Sequence, residues 1–365
     1  MTINFKPFQG LRVLELSSVL AGPLAGSFFA EGGAEVTKVE HPQWGDITRS
    51  WRANGEAIEG GISAYYASAN TYKTVHRVDL KSSEGLKWLE VELKEADVLL
   101  QNFKNSDLSK FNLEPEIIAQ KYPNLIHIRL VGFADAPTRL AYDVVVQAET
   151  GFMHMNGSPD GPPTRMPVAL MDVLASDQIK SAALSGLYSR EKGVKGWYSE
   201  VSLERSGLAA LVNRATNFLM NGDEQIRIGS EHPNIAPYGD LITLKNGRQI
   251  VLAVGSDKQF EGLCEVLGKP ELSQDIRFST NTSRVKNRVD LMKELLTSAH
   301  KIEEMDALME DFLTKGVPAG LVRPLSEVFT NGTSGKKHLI DEGVQDGRRV
   351  IKPSVVAYFT KVFGK

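Results

Sequence analysis

The sequence predicts an α/β protein, a mainly parallel sheet covered by helices on both faces, joined to a smaller α+β region. Short apolar runs of strand length alternate with stretches of helical spacing from residue 11 to about 205. The opening LRVLELSSVLAGPLAGSFFAEGGAEVTKVE has the form of a crossover unit, with two strand-like runs flanking a helix that stops at paired glycines. Beyond residue 225 the alternation gives way to a hairpin pattern followed by further helices.

In order along the chain, LRVLEL is the first strand, AGPLAGSFFAEGG the first helix and AEVTKVE the second strand. The turn between them, SSVLAGPLAG, lacks the G-x-G-x-x-G that a dinucleotide pyrophosphate requires, so the ligand of this sheet is expected to be something other than a nicotinamide cofactor. SSEGLKWLEVELKEAD sets Leu86, Leu89 and Leu93 at helical spacing, and DVLLQNF follows as a strand. NLIHIRLVGF is another strand, and SDQIKSAALSGLYSR places Ile179, Ala183 and Leu187 on one helical face. These elements make a large domain over residues 1–205. RSGLAALVNRATNFLM reads as one long linker helix, placed at 206–224, and NGDEQIRIGSEHPNIAPYGD is turn-rich. A small α+β domain is expected over 225–315, opening with a hairpin whose turn is Asn246 and Gly247. GVPAGLVRPLSEVF then starts a segment, 316–365, expected to return to the first domain.

Composition narrows the function. A hydrophobic share of 42% and a charged share of 24% are those of an ordinary globular protein rather than a disordered one. MTINFKPFQG holds no apolar signal segment and no apolar stretch is long enough to span a bilayer, so a cytoplasmic protein without a membrane partner is expected. Cys264 is the only cysteine and the seven histidines show no metal-ligand spacing, so neither a disulfide nor a metal site is expected. A net charge of -3 argues against nucleic acid as a partner, while leaving room for a local basic cluster that holds a small anion.

Charged and amide residues gather in the loops expected at the carboxyl ends of the strands: GDITRSW at 45–51, ANTYK at 69–73 and QNFK at 101–104. Ligands bind at that edge of a parallel sheet, and Arg49, Lys73, Lys104 and Lys110 have the chemistry to neutralise phosphates. The plainer alternative is solvated surface charge. Asp172, in MPVALMDVLAS, follows an apolar run and precedes a helix, which puts a carboxylate at a strand-to-helix junction beside free backbone amides. From these local residues alone a helix N-cap is the favoured explanation of Asp172.

Taken in order, these segments together with YDVVVQAETG, MDVLAS, REKGVKGWYSEVSL, GSEHPNIAPYGD and GVPAGLVRPLSEVF resemble the class III CoA-transferases, nearly end to end. That resemblance implies a Rossmann-like large domain made from both chain ends, an inserted small domain, and two ring-like subunits interlocked as a homodimer. It implies Asp172 as the catalytic nucleophile, with coenzyme A carried between two carboxylic acids through aspartyl adducts; the backbone amides beside it would stabilise the resting carboxylate, soften it as a nucleophile and also suit an oxyanion, and Asp177 is the nearest rival carboxylate. It implies CoA contacts at Val19, Leu20, Ala21, His41, Lys73, Asn102, Phe103, Lys110 and Arg139. Phe103 could equally be a core residue.

Several positions depart from the family pattern. His41 stands where formyl-CoA transferase has an arginine, Thr74 replaces an arginine, and Arg139 lies one residue before the place of a CoA-contacting lysine, here Leu140. EHPNIAP at 231–237 replaces a run of lid glycines. The related α-methylacyl-CoA racemases carry GHD where this chain has Ala141, Tyr142 and Asp143, and a tyrosine is a poor base near neutrality. Transferase therefore ranks ahead of racemase, and ahead of a CoA-binding relative without activity.

Overall fold

The computed structural model describes residues 6–56, 62–330 and 339–358. The first unit is built on six parallel strands: β1 (Arg12–Leu16), β2 (Glu35–Glu40), β3 (Thr74–Arg77), β4 (Val98–Gln101), β5 (Ile126–Val131) and β6 (Tyr198–Ser202). Their order is β3-β2-β1-β4-β5-β6, the Rossmann-like winding in which the chain runs outward one way and then the other. The crossovers contain α1 (Ala21–Glu31), α2 (Ala64–Asn70), α3 (Ser83–Glu95), α4 (Asn105–Phe111), α5 (Pro115–Lys121), α6 (Asp143–Glu149), a single turn α7 (Phe152–Met155) and α8 (Leu170–Glu191).

Side chains alternate across each strand, so the sheet buries two apolar layers. Val13, Val36 and Val98 meet Phe28 and Phe29 of α1 and Ala175, Ile179 and Ala183 of α8. Leu14, Leu16 and Leu99 face Leu89 and Leu93 of α3 and Leu108 and Phe111 of α4.

Three expectations need correcting. No strand precedes Asp172; residues 156–169 are turn and coil, and the helix starts at Leu170. The long linker helix is two helices, α9 (Leu203–Ala210) and α10 (Val212–Asn221), broken where Val212 takes φ 42°. Both belong to the first unit, which gives up residues 154–164 to the second and then keeps the chain from Arg165 to Glu224. Finally, residues 316–330 stay with the second unit rather than returning to the first. The reason is a third strand: Ala319–Leu321 pairs antiparallel with Gln249–Ala253.

That second unit has a three-stranded sheet of β7 (Tyr238–Thr243), β8 (Gln249–Ala253) and β9 (Ala319–Leu321). Gly247, at φ 81°, supplies the left-handed turn residue of the β7–β8 hairpin. Leu252, Phe260, Leu263, Leu295 and Phe312 form its core. The EHPNIAP segment is fastened by Arg288, which donates to the carbonyls of His232 (2.7 Å) and Ile235 (3.0 Å), and by Arg284, which donates to that of Ala236 (2.8 Å). Past residue 338 the chain is again in the first unit, where β10 (Ile340–Gln345) and β11 (Arg348–Pro353) form a hairpin. Among the described residues no helix is long and apolar enough to cross a membrane.

Beneath the carboxyl ends of β1 and β2 lies a buried ionic cluster, joined by Lys73 from the amino end of β3 rather than from the carboxyl-end loop expected for residues 69–73. Lys38 reaches Glu15 (2.9 Å) and Asp46 (3.1 Å), and Lys73 takes the other Glu15 oxygen (2.7 Å). Lys73 also donates to the carbonyls of Pro23 and Ala69, and Lys38 to that of Ser17. Helix α1 passes so close that a Cβ on Gly26 would lie 1.9 Å from Glu15 Oε2 and 3.1 Å from Lys73 Nζ. Gly26→Ala must therefore displace either the helix or the ion pair. Urea unfolding should show a loss of roughly 3 kcal/mol or more, and an unchanged midpoint would mean the cluster tolerates being moved.

Candidate active site

The winding of the sheet reverses between β1 and β4, and the loops that follow those strands form a crevice. Asn102, just after β4, ties the two loops together: its Oδ1 accepts from the Ser18 amide (3.3 Å) and its Nδ2 donates to the Ser18 carbonyl (3.1 Å). The turn after β1 bends through Val19 at φ 75°. A dinucleotide fold would use glycine there; a β-branched residue in that region carries strain on the order of 1–3 kcal/mol. Leu20 is the N-cap of α1 and offers no side-chain acceptor, so the helix opens with free amides.

One of those amides, from Ala21, donates to the carboxylate of Asp172. Asp172 sits in the first turn of α8, whose N-cap is Ala169, so the capping explanation fails. The cap comes from elsewhere: Asp143 Oδ1 accepts from the Met171 amide (2.8 Å), and its Oδ2 accepts from Gln147 (2.7 Å). Asp172 is thus 9% exposed, beside a second carboxylate. Burial first, then the charge of Asp143, push its pKa up to about 7 against the Ala21 amide. The amides were expected to soften this carboxylate; loss of water and a like charge outweigh them. Burial and then the charges of Asp172 and Asp143 push Tyr65 up to about 12. Asp177 is exposed and paired with Lys180 (2.8 Å), one face of the helix away from this chemistry.

Asp172 lines a 190 Å³ pocket with Val19, Asn102, Phe103, Arg139 and Asp143. Ser18, Asn102, Phe103 and Lys104 also line a 1090 Å³ cleft, at the upper end of the size range for small-molecule sites. His41 lines this cleft and stacks on Trp44 at 3.4 Å between ring centroids, with the indole 64% exposed. Lys110 lines it while pairing with Asp107 (2.8 Å). Phe103 packs on Phe111 (5.0 Å) at the edge of the apolar layer, so it joins the core as well as the cleft. Arg139 is held by both oxygens of Glu149 and lies 4.1 Å over the Phe133 ring.

Two expected phosphate ligands are committed elsewhere. Lys73 lines neither cavity; its ammonium is fully enclosed by Glu15 and backbone carbonyls, and burial pulls its pKa down to about 8. Arg49 borders the cleft but donates to Glu40 (2.7 and 3.0 Å), Tyr66 (2.7 Å) and Asp346 (2.7 Å). Trp44, Arg77 and Lys81, none of them singled out from sequence, line the cleft instead. Asp143 was visible only as the acid of an AYD triplet, and nothing local revealed that it caps a helix 28 residues on.

The family model described as CoA-transferase family III matches residues 8–361. The succinate–glutarate CoA-transferase of Agrobacterium fabrum is 35% identical, across 93% of this chain and 86% of its own length. The mouse succinyl-CoA:glutarate CoA-transferase is also 35% identical, across 90% of this chain and 74% of its own. A crystal structure of a CAIB/BAIF family protein from Brucella suis superimposes with a TM-score of 0.83 at 33% identity, covering 95% of this chain and 91% of that one.

The raised pKa of Asp172 carries a stability cost with a definite sign. Between its ordinary value of 3.8 and about 7, the unfolded chain ionises this group while the fold still holds the proton. The penalty is therefore absent near pH 4, grows through that window and is full above pH 7. Asp172→Asn should stabilise the protein by about 2–4 kcal/mol at pH 8 and by little at pH 4. Urea unfolding at the two pH values reads this directly; equal effects at both would place the carboxylate in a water-like environment.

Proposed function

This chain belongs to CoA-transferase family III, and we propose that it moves CoA between two short carboxylic acids through covalent adducts on Asp172. The transfer from acyl-CoA to a free carboxylate is the activity of the family; the residue and the acids are our reading. The observation that carries it is a buried carboxylate, facing a second carboxylate, in a pocket joined to a large cleft at the switch point of the sheet.

Ionised Asp172 attacks the thioester carbonyl of the donor, the C–S bond breaks, and an acyl-aspartyl anhydride and CoA thiolate result. The thiolate attacks the aspartyl carbonyl, releasing the donor acid and leaving an aspartyl-CoA thioester. The acceptor carboxylate attacks that thioester and expels the thiolate, which then takes the new acyl group and frees Asp172. Attack removes a charge that burial and Asp143 disfavour, so the first covalent step relieves ground-state repulsion. A carboxylate of raised basicity is also the better nucleophile. The Ala21 amide, aimed at the Asp172 carboxylate, is suited to an oxyanion formed on the aspartyl carbonyl.

For CoA itself we assign the 1090 Å³ cleft, with Lys110, Lys104 and Arg77 as charge for phosphates and Trp44 and His41 as stacking surface. Lys73 acts indirectly, by holding the carbonyls of Pro23 and Ala69. Relatives named for succinate and glutarate make short dicarboxylic acids the first to test. We place the enzyme in the cytoplasm as an interlocked homodimer, its second unit inserted in the first. In support, α10 exposes Phe218, Leu219 and Met220 and buries none of its residues, an apolar face that a second copy would cover.

Incubation with succinyl-CoA and glutarate, read by mass spectrometry, should show glutaryl-CoA. Asp172→Ala should lose at least a thousandfold in rate, on the order expected for removing a nucleophile, while binding CoA within about threefold of wild type. Asp177→Ala should stay active. Substantial turnover by Asp172→Ala would reject the proposal.

A further inference from the structure

We propose that Asp346, at the tip of the C-terminal β10–β11 hairpin, is a positioning residue for acyl-CoA binding. By completing the acceptor set of Arg49, it holds residues 41–50 as one wall of the cleft. The inference rests on reading that cleft as the CoA site.

Residues 41–50 bring His41, Trp44, Ile47 and Ser50 to the cleft, yet their only regular structure is the short turn Ile47–Ser50. Two side chains moor this stretch. Asp46 joins Lys38 in the buried cluster, and Arg49 inserts its guanidinium beside Glu40 and over the Tyr66 ring at 4.0 Å. Nε and Nη2 of Arg49 go to Glu40, and Nη2 also reaches Tyr66; Nη1 goes to Asp346, 297 residues away in sequence. With the Arg49 side chain only 9% exposed, loss of Asp346 strips a buried donor of the acceptor it has here. The loop cannot ignore that change. A Cβ on Gly45 would come within 2.6 Å of Glu40 Oε2 and 2.9 Å of Arg49 Cδ, so the backbone next to Trp44 rests directly on this pair.

The hairpin is anchored independently of Asp346. Glu31, ending α1, accepts from Lys352 (2.5 Å), Ser354 (2.6 Å) and the amides of Val355 (2.8 Å) and Val356 (2.9 Å). Asp346 is therefore a contact the hairpin delivers, not the one that docks it.

Charge alone predicts the opposite result. Asp346 is an anion close to a cleft assigned to an anionic ligand, so deleting it would tighten CoA binding if position did not matter. Asp346 has φ 48°, which glycine and asparagine both accept, so neither variant adds backbone strain. Asp346→Gly should raise the Kd for CoA by titration calorimetry, and the KM for succinyl-CoA, roughly threefold to tenfold. Its kcat and its KM for glutarate should stay within about twofold. Asp346→Asn, which keeps one acceptor oxygen, should recover part of the loss. An unchanged or tighter Kd in Asp346→Gly, or a matching loss of kcat, would overturn the proposal. A wild type that binds no CoA would instead overturn the assignment of the cleft, and this inference with it.

Discussion

The buried cluster of Glu15, Lys38, Lys73 and Asp46 is the constraint on which the site depends. Two ammonium and two carboxylate groups balance one another out of contact with water, and Lys38 and Asp46 also fix Ser17 and the 41–50 loop, which border the cleft. Through Pro23 it sets the first turn of α1, through Ser17 the end of β1, through Ala69 the end of α2, and through Asp46 the loop that carries Trp44. Removing one partner would strand an unpaired charge at a cost of roughly 3–5 kcal/mol. The value of such a cluster is therefore geometric: it allows one arrangement of these four segments and penalises the rest.

From that arrangement follows the chemistry at Asp172. Placing α1 fixes its free amide at Ala21, and packing of α1 on α8 brings Asp172 to that amide. Asp143, fixed by Gln147, caps α8 and sits beside the nucleophile. The result is a carboxylate met by the Ala21 amide yet made basic by burial and a neighbouring charge. Stability is given up at one residue and recovered when that residue becomes acylated.

Much of this was legible in the chain. The β1–α1–β2 unit, the apolar face of α8 and the Asn246–Gly247 turn all announce themselves through period and turn chemistry. What sequence could not supply were pairings across distance. Lys73 in TYKT looks like any exposed lysine; its partner Glu15 lies 58 positions earlier, inside a strand that reads as apolar. Val19 takes a glycine's conformation without being one. The three residues of β9 are too few to show alternation, so the segment after 316 seemed to leave the second unit when it completes its sheet. Asp172 could be placed at a helix start from its neighbours, and the resemblance gave it a role, but the sign of its pKa shift required knowing where Asp143 lands.

The central claim is that Asp172 becomes covalently bonded during turnover. Protein incubated with succinyl-CoA and borohydride, then digested and mapped by mass spectrometry, tests it most directly, because an acyl or thioester adduct makes the aspartyl carbonyl reducible. The account predicts irreversible loss of activity with the reduced carboxyl at residue 172 alone. Reduction at Asp143 or Asp177, or full turnover with no modified residue at saturating borohydride, would contradict it.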